Sequence, residues 1–151
     1  MEIERKFLIH SLPDLSGVSY HRIEQAYLCT NPVVRIRKQD DEYYLTYKGS
    51  GFLAREEYNL PLTKESYLHL LKKADGNIIT KKRYSISYLS YTIELDIFEG
   101  AFSGLIIAEV EFPSTDEAMM FSPPEWFGSD VTYDEKYHNS YLSCCKINES
   151  K

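Results

Sequence analysis

Apolar and polar residues alternate with period two through most of this chain. The alternation runs over residues 2–9, 20–29, 33–39, 42–48, 52–60, 77–88, 90–98 and 105–112, stretches rich in Tyr, Ile, Val, Leu and Phe. That period marks strands with one face buried. Turn chemistry separates them: Asn31-Pro32, Asp40-Asp41, Gly49-Ser50-Gly51 (read as a hairpin turn), Gly100 and Gly104. Eight strands at short spacing predict a mostly antiparallel barrel or sandwich. A helical period replaces the alternation in few places. Residues 64–74 put Tyr67, Leu70, Leu71 and Ala74 on one stripe, with Thr63 as N-cap and Gly76 as the stop. Ser114-Thr115-Asp116-Glu117 reads as a capping box opening a short helix that ends before Pro123-Pro124. Residues 135–146 read as a last helix with Tyr137, Tyr141 and Cys144 along one face. No linker, repeat or low-complexity segment interrupts the pattern, so residues 1–151 are read as a single domain.

Composition narrows the class. A chain of 151 residues is long enough to bury a sizeable core. No apolar run approaches the roughly 20 residues of a membrane span. Glu2, Glu4, Arg5 and Lys6 near the start are unlike a secretory signal, so a cytoplasmic protein with no membrane partner is expected. Cys29, Cys144 and Cys145, an odd count without CxxC, suit a reducing compartment and buried thiols. His10, His21, His69 and His138 show no zinc-ligand spacing and read as surface or partly buried side chains. A net charge of −6 argues against nucleic acid as a partner.

The distribution of charge says more than its sum. Residues i and i+2 of a strand share a face, about 7 Å apart. Like-charge pairs occur at that spacing in Glu2/Glu4, Arg35/Arg37, Lys81/Arg83, Glu94/Asp96 and Glu109/Glu111. A solvated face normally mixes signs, because like charges side by side repel. The alternate positions are apolar, as in Val34 and Ile36 or Leu95 and Ile97, and need burial. A barrel with a charged lumen and an apolar outside, partly covered by the helices, satisfies both faces. Its lumen would gather the acids Glu2, Glu4, Glu57, Glu94, Asp96, Glu109 and Glu111 with the bases Lys6, Arg35, Arg37, Lys48, Arg55, Lys81, Arg83 and Lys136. So many charges cannot be buried without partners. Guanidinium and ammonium groups suit phosphate oxygens. Clustered carboxylates suit Mg²⁺ or Mn²⁺. A chain of phosphates bridged to such a metal answers both needs. No Gly-rich phosphate loop is present, so side chains must hold the phosphates.

The residues resemble the CYTH superfamily, or triphosphate tunnel metalloenzymes. Glu2-Ile3-Glu4-Arg5-Lys6 matches the ExExK motif of that family. Further elements follow in its order: Glu24-Gln25-Ala26-Tyr27-Leu28, Val34-Arg35-Ile36-Arg37, Tyr47-Lys48-Gly49, Arg55-Glu56-Glu57, Lys81-Lys82-Arg83-Tyr84, Glu94-Leu95-Asp96, Glu109-Val110-Glu111-Phe112 and Lys136-Tyr137-His138-Asn139. The resemblance implies an eight-stranded antiparallel β-barrel tunnel, mainly β with a few short helices outside, and a triphosphate substrate. It is similar above all to the short bacterial members that hydrolyse inorganic tripolyphosphate. Carried over, Glu2, Glu4, Glu109 and Glu111 would hold the metal, and Glu94 and Asp96 a second metal or the attacking water. Arg35, Arg37, Lys48, Lys81 and Arg83 would bind phosphate, and Lys136 would close one end. Lys6 and Tyr27 match the positions of a catalytic Lys–Tyr dyad. Glu57 either joins the acids or orients a neighbouring base.

The expected function is metal-dependent hydrolysis of a triphosphate to pyrophosphate and phosphate. A nucleoside or thiamine triphosphatase, or a class IV adenylyl cyclase, would use the same scaffold. A non-catalytic polyphosphate-binding module is the alternative of another class. A homodimer is allowed by the sequence and not required by it.

Overall fold

A computed structural model of the chain describes residues 1–145. Strands dominate, as the alternation predicts. In chain order they are β1 (Glu2–Ile9), β2 (Tyr20–Thr30), β3 (Val33–Gln39), β4 (Glu42–Lys48), β5 (Ala54–Arg55), β6 (Glu57–Pro61), β7 (Asp75–Tyr88), β8 (Tyr91–Phe98), β9 (Ile106–Glu111) and β10 (Phe127–Asp130). Three helices accompany them: α1 (Lys64–Leu71), α2 (Thr115–Met120) and α3 (Asn139–Cys144).

Strand pairing is antiparallel, and the ladder runs β10-β1-β9-β8-β7-β2-β3-β4-β6. The expected closed, eight-stranded barrel is therefore corrected twice: the sheet has ten strands and does not close. The stretch read as one strand over 52–60 supplies one of the two extra strands, and β10 the other. The stretch breaks between Arg55 and Glu57. β6 stays on β4, whereas β5 leaves it and pairs with the start of β1 through Glu2↔Arg55 and Ile3↔Ala54. The sheet thus curls until the ends of β1 and β4 meet across one concave face, linked by two residues of β5 rather than by a full ladder. Gly51 permits the tight loop before β5. Its φ is +119°, and a Cβ there would collide with the Ala54 carbonyl oxygen. β10, four residues beside the end of β1, is too short to carry an alternation signal.

The helices follow the sequence in part. Thr63 caps α1 by accepting the Ser66 N–H, and Ser66 returns the bond, so the box is reciprocal. Tyr67, Leu70, Leu71 and Ala74 pack on Ala26 and Ile36 as read. Gly76 is not the stop; α1 ends at Leu71, and Gly76 lies inside β7 at φ +73°, close under the Ser143 carbonyl. At α2 the Ser114 hydroxyl accepts the Glu117 N–H, but the Glu117 carboxylate accepts from the Tyr91 hydroxyl instead of returning to the cap. The helix expected over 135–146 breaks at His138 into a 3-10 turn (Glu135–Tyr137) and α3, and its last residue lies outside the described residues. Leu142 and Ser143 face inward, whereas Tyr141 and Cys144 are exposed. The cysteine reading is corrected as well: Cys29 and Cys144 are exposed rather than buried.

One core cluster lies outside the curled sheet, where Phe7, Leu95, Val110 and Phe112 pack with Phe121 and Ala118 of the α2 region. A second lies on the inner face: Val33, Ile79 and Phe98, in line with Arg35, Lys81 and Asp96 on their strands, pack with Leu142 of α3 at one end of the cavity. The outer face is apolar as the alternation predicts, and the inner face is charged except at that end. Among the described residues, no helix is long and apolar enough to cross a membrane.

Candidate active site

Register assembles the inner face. Lys6 and Glu4 of β1 sit opposite Glu109 and Glu111 of β9, and Glu94 of β8 sits opposite Glu109. Asp96 pairs with Arg83 of β7, Gln25 and Tyr27 of β2 with Arg37 and Arg35 of β3, and Glu57 of β6 with Lys48 of β4. Glu2 sits opposite Arg55. Most of them line one cavity of about 60 Å³. Its wall carries six acids (Glu2, Glu4, Glu57, Glu94, Glu109, Glu111) and six bases (Lys6, Arg35, Arg37, Lys48, Arg55, Arg83), along with Tyr27 and His138.

Some of these charges neutralise one another. Lys6 Nζ lies 2.6 Å from Glu109 Oε2, and Arg83 Nη2 donates to Glu109 Oε1 at 3.0 Å. Burial alone would raise the Glu109 carboxyl; Lys6 and Arg83 outweigh it and hold it well below the usual range. Burial works against the Lys6 ammonium too, and Glu109 and Glu4 more than compensate. Lys48 lies 3.1 Å from Glu2 and 3.5 Å from Glu57, and Arg55 Nε lies 3.8 Å from Glu2.

Two groups of charges stay unneutralised. Arg35 and Arg37 have no carboxylate within ion-pair distance among the described residues. Arg35 donates from Nη2 to the Thr46 hydroxyl at 3.2 Å, while its buried Nε has no hydrogen-bond partner. Arg37 donates only to Gln25. Burial, with Arg35 and Arg83 nearby, pushes its pKa down to about 9. A buried guanidinium beside a half-buried one, both without a counter-charge, calls for an anion. The opposite imbalance lies across the cavity. The Glu4 carboxylate makes no hydrogen bond or ion pair with another described residue, and Glu4 sits directly opposite Glu111. Burial and the Glu109 carboxylate raise it to about 7. Burial with Glu2 and Glu57 nearby raises Glu111.

Glu4 and Glu111 could hold a metal ion, with Glu2 beside them shared with Lys48 and Arg55. Their chemistry, oxygen donors crowded at mutual cost, fits a hard divalent cation. No three acidic, histidine or cysteine side chains already converge as a ligand cluster among the described residues. The expected ligand set is thinned by ion pairing. Glu109 is engaged by Lys6 and Arg83, and Glu94 lies 3.3 Å from Arg83.

Three expected site residues lie elsewhere. Asp96 is buried behind the cavity wall, accepting Arg83 Nε and Nη2 at 2.7 and 2.8 Å and facing Lys81 Nζ at 2.7 Å. It is fully occupied and is not placed as a metal ligand. Lys81 is buried beside it, where desolvation lowers its pKa to about 7 against the pull of Asp96, and it donates to Asn139 rather than facing the cavity. Lys136 is exposed on the 3-10 turn and does not line the cavity. The break at His138 turns it away. Lys6 and Tyr27 both line the cavity, but no hydrogen bond joins them: Lys6 is drawn to Glu109, and the Tyr27 oxygen accepts from Gln25 Nε2 at 3.3 Å.

His138 is the wall residue that sequence reading passes over. It is buried, Nε2 lies 2.9 Å from the Thr132 carbonyl oxygen, and Phe52 packs edge-on at 5.4 Å. Burial with Lys6 and Arg55 nearby lowers its pKa to about 4. A lone histidine without ligand spacing gives no signal for this. Gln25 is likewise legible only once β2 and β3 are in register.

Residues 1–120 match the CYTH domain. The chain is 40% identical over 148 residues to an inorganic triphosphatase of Nitrosomonas europaea, covering 94% of this chain and 96% of that protein. It is 35% identical over 146 residues to an inorganic triphosphatase of Acetivibrio thermocellus, covering 93% and 92%. A crystal structure of an inorganic triphosphatase matches with a TM-score of 0.74 at 36% identity, covering 98% of this chain and 97% of that one.

Proposed function

The chain belongs to the CYTH domain family, and from that premise we propose that it hydrolyses a triphosphate, inorganic tripolyphosphate above others, to pyrophosphate and phosphate. The observation that carries the proposal is the pair of buried Arg35 and half-buried Arg37, which has no protein counter-charge and shares the cavity with Glu4 and Glu111, carboxylates that have no protein counter-ion. A phosphate chain with a divalent cation supplies both. The relatives bearing the inorganic triphosphatase name support the choice of substrate.

The residues have separable parts. Arg35 and Arg37 hold phosphate oxygens, and Arg83, Lys48 and Arg55 add positive charge along the wall. Glu4 and Glu111, with Glu2 beside them, would hold Mg²⁺ or Mn²⁺, which would withdraw charge from phosphate oxygens. Water attacks the terminal phosphorus in line, a P–O bond to pyrophosphate breaks, and the bases neutralise charge growing on the leaving oxygens. Tyr27 orients the water, and Lys6, held on Glu109, keeps positive charge next to it. Among the described residues the cavity lining is mostly charged, which supports a site that grips phosphates.

Phosphate release should be compared on tripolyphosphate, ATP and thiamine triphosphate, with Mg²⁺ and with Mn²⁺. The fastest turnover is expected on tripolyphosphate. Faster turnover on ATP or thiamine triphosphate would reassign the substrate, cyclic AMP from ATP would show a cyclase, and binding without turnover of any of them would show a binding module.

A further inference from the structure

Gln25 is fully buried, yet it is a polar amide in the middle of the anion-binding wall. Its carbonyl oxygen accepts from both Nε and Nη2 of Arg37, at 3.0 and 2.7 Å. Its amide nitrogen donates to the Tyr27 hydroxyl oxygen at 3.3 Å. The orientation is unambiguous, because a guanidinium has only donors, so the carbonyl must face Arg37 and the NH₂ must face Tyr27. Register enforces the arrangement: Gln25 is the cross-strand partner of Arg37 and stands two residues from Tyr27 on the same strand.

We propose that Gln25 is a positioning residue that fixes Arg37 and Tyr27 against each other through one amide. The inference rests on the triphosphatase reading and adds a residue to it. Nε and Nη2 converge on the one carbonyl oxygen, which fixes that edge of the guanidinium where a single contact would leave it freer to turn. The donated N–H occupies the Tyr27 oxygen on the Gln25 side, so the hydroxyl hydrogen points away from Gln25. The amide is neutral, so it orients Arg37 without cancelling its charge. A glutamate here would hold the same fork and remove the positive charge that phosphate needs.

The test reads binding and turnover separately. Binding is measured as calorimetric titration of tripolyphosphate in EDTA, turnover as phosphate release with Mg²⁺. Gln25→Leu should weaken binding and slow turnover, each at least about tenfold, because misplacing a positioned group costs that much or more. The binding loss should vanish when Arg37 is already Ala, and the turnover loss should shrink when Tyr27 is already Phe. Gln25→Glu, which keeps an acceptor for Arg37, should still bind at least about tenfold more weakly. It also serves if Gln25→Leu fails to give a cooperative melt. Wild-type binding in the variants, or a binding loss undiminished by Arg37→Ala, would overturn the proposal. Wild-type protein that binds tripolyphosphate but releases no phosphate would sink the hydrolase reading alone, leaving Gln25 to be judged on binding.

Discussion

Arg37 has no carboxylate to neutralise it, only the Gln25 carbonyl. Replacing it should therefore harm chemistry and spare the fold. Arg37→Ala is expected to lower tripolyphosphate turnover by about 10²–10³, with a melting temperature close to wild type because the half-buried cation removed has no counter-charge. Wild-type turnover in this variant would take Arg37 out of the site. His138 makes a pH prediction. Its folded pKa is lowered from 6.5 to about 4, so between those values the unfolded chain binds a proton that the native one refuses. The stability it contributes is full above pH 6.5 and is lost as pH falls toward about 4. Denaturant titrations across that window should show wild type losing more stability than His138→Gln; parallel losses would contradict the assignment. The charged types at the site are legible in the sequence as like-charge pairs. Their pairings are not, because which acid meets which base depends on register. Hence Asp96 and Lys81, alike in pattern to Glu94 and Arg83, are spent on a buried ion pair.

The elements show the same division. Period-two alternation locates the long strands, because it records which face is buried. It cannot show where a ladder breaks: 52–60 alternates well enough as one strand, yet it splits into β5 and β6. Helix starts are legible through Thr63 and Ser114, whose hydroxyls accept N3 backbone N–H groups. The break at His138 has no comparable local signal, and Lys136 was misplaced with it. The β5 loop is testable. Gly51→Ala places a methyl against the Ala54 carbonyl at a φ that alanine disfavours, and should cost more than about 1 kcal/mol. It should also weaken tripolyphosphate binding by moving Arg55 and Glu2 apart. Unchanged stability in denaturant would show that β5 does not constrain the sheet.

At the scale of the whole molecule, a sheet that curls without closing is enough to bring nine strands' side chains around one cavity. Polar lumen and apolar exterior follow from alternation alone. Closure does not, since it depends on whether the last ladder is continuous, and here two residues of β5 stand in for it. The curl sets uncompensated guanidiniums across from uncompensated carboxylates, and the central claim is that a triphosphate and a divalent cation complete both. The direct measurement is phosphate release from tripolyphosphate by the full chain with Mg²⁺, repeated in excess EDTA. Rapid release with Mg²⁺ that EDTA abolishes is the predicted result; equal, background rates in both conditions would contradict the claim.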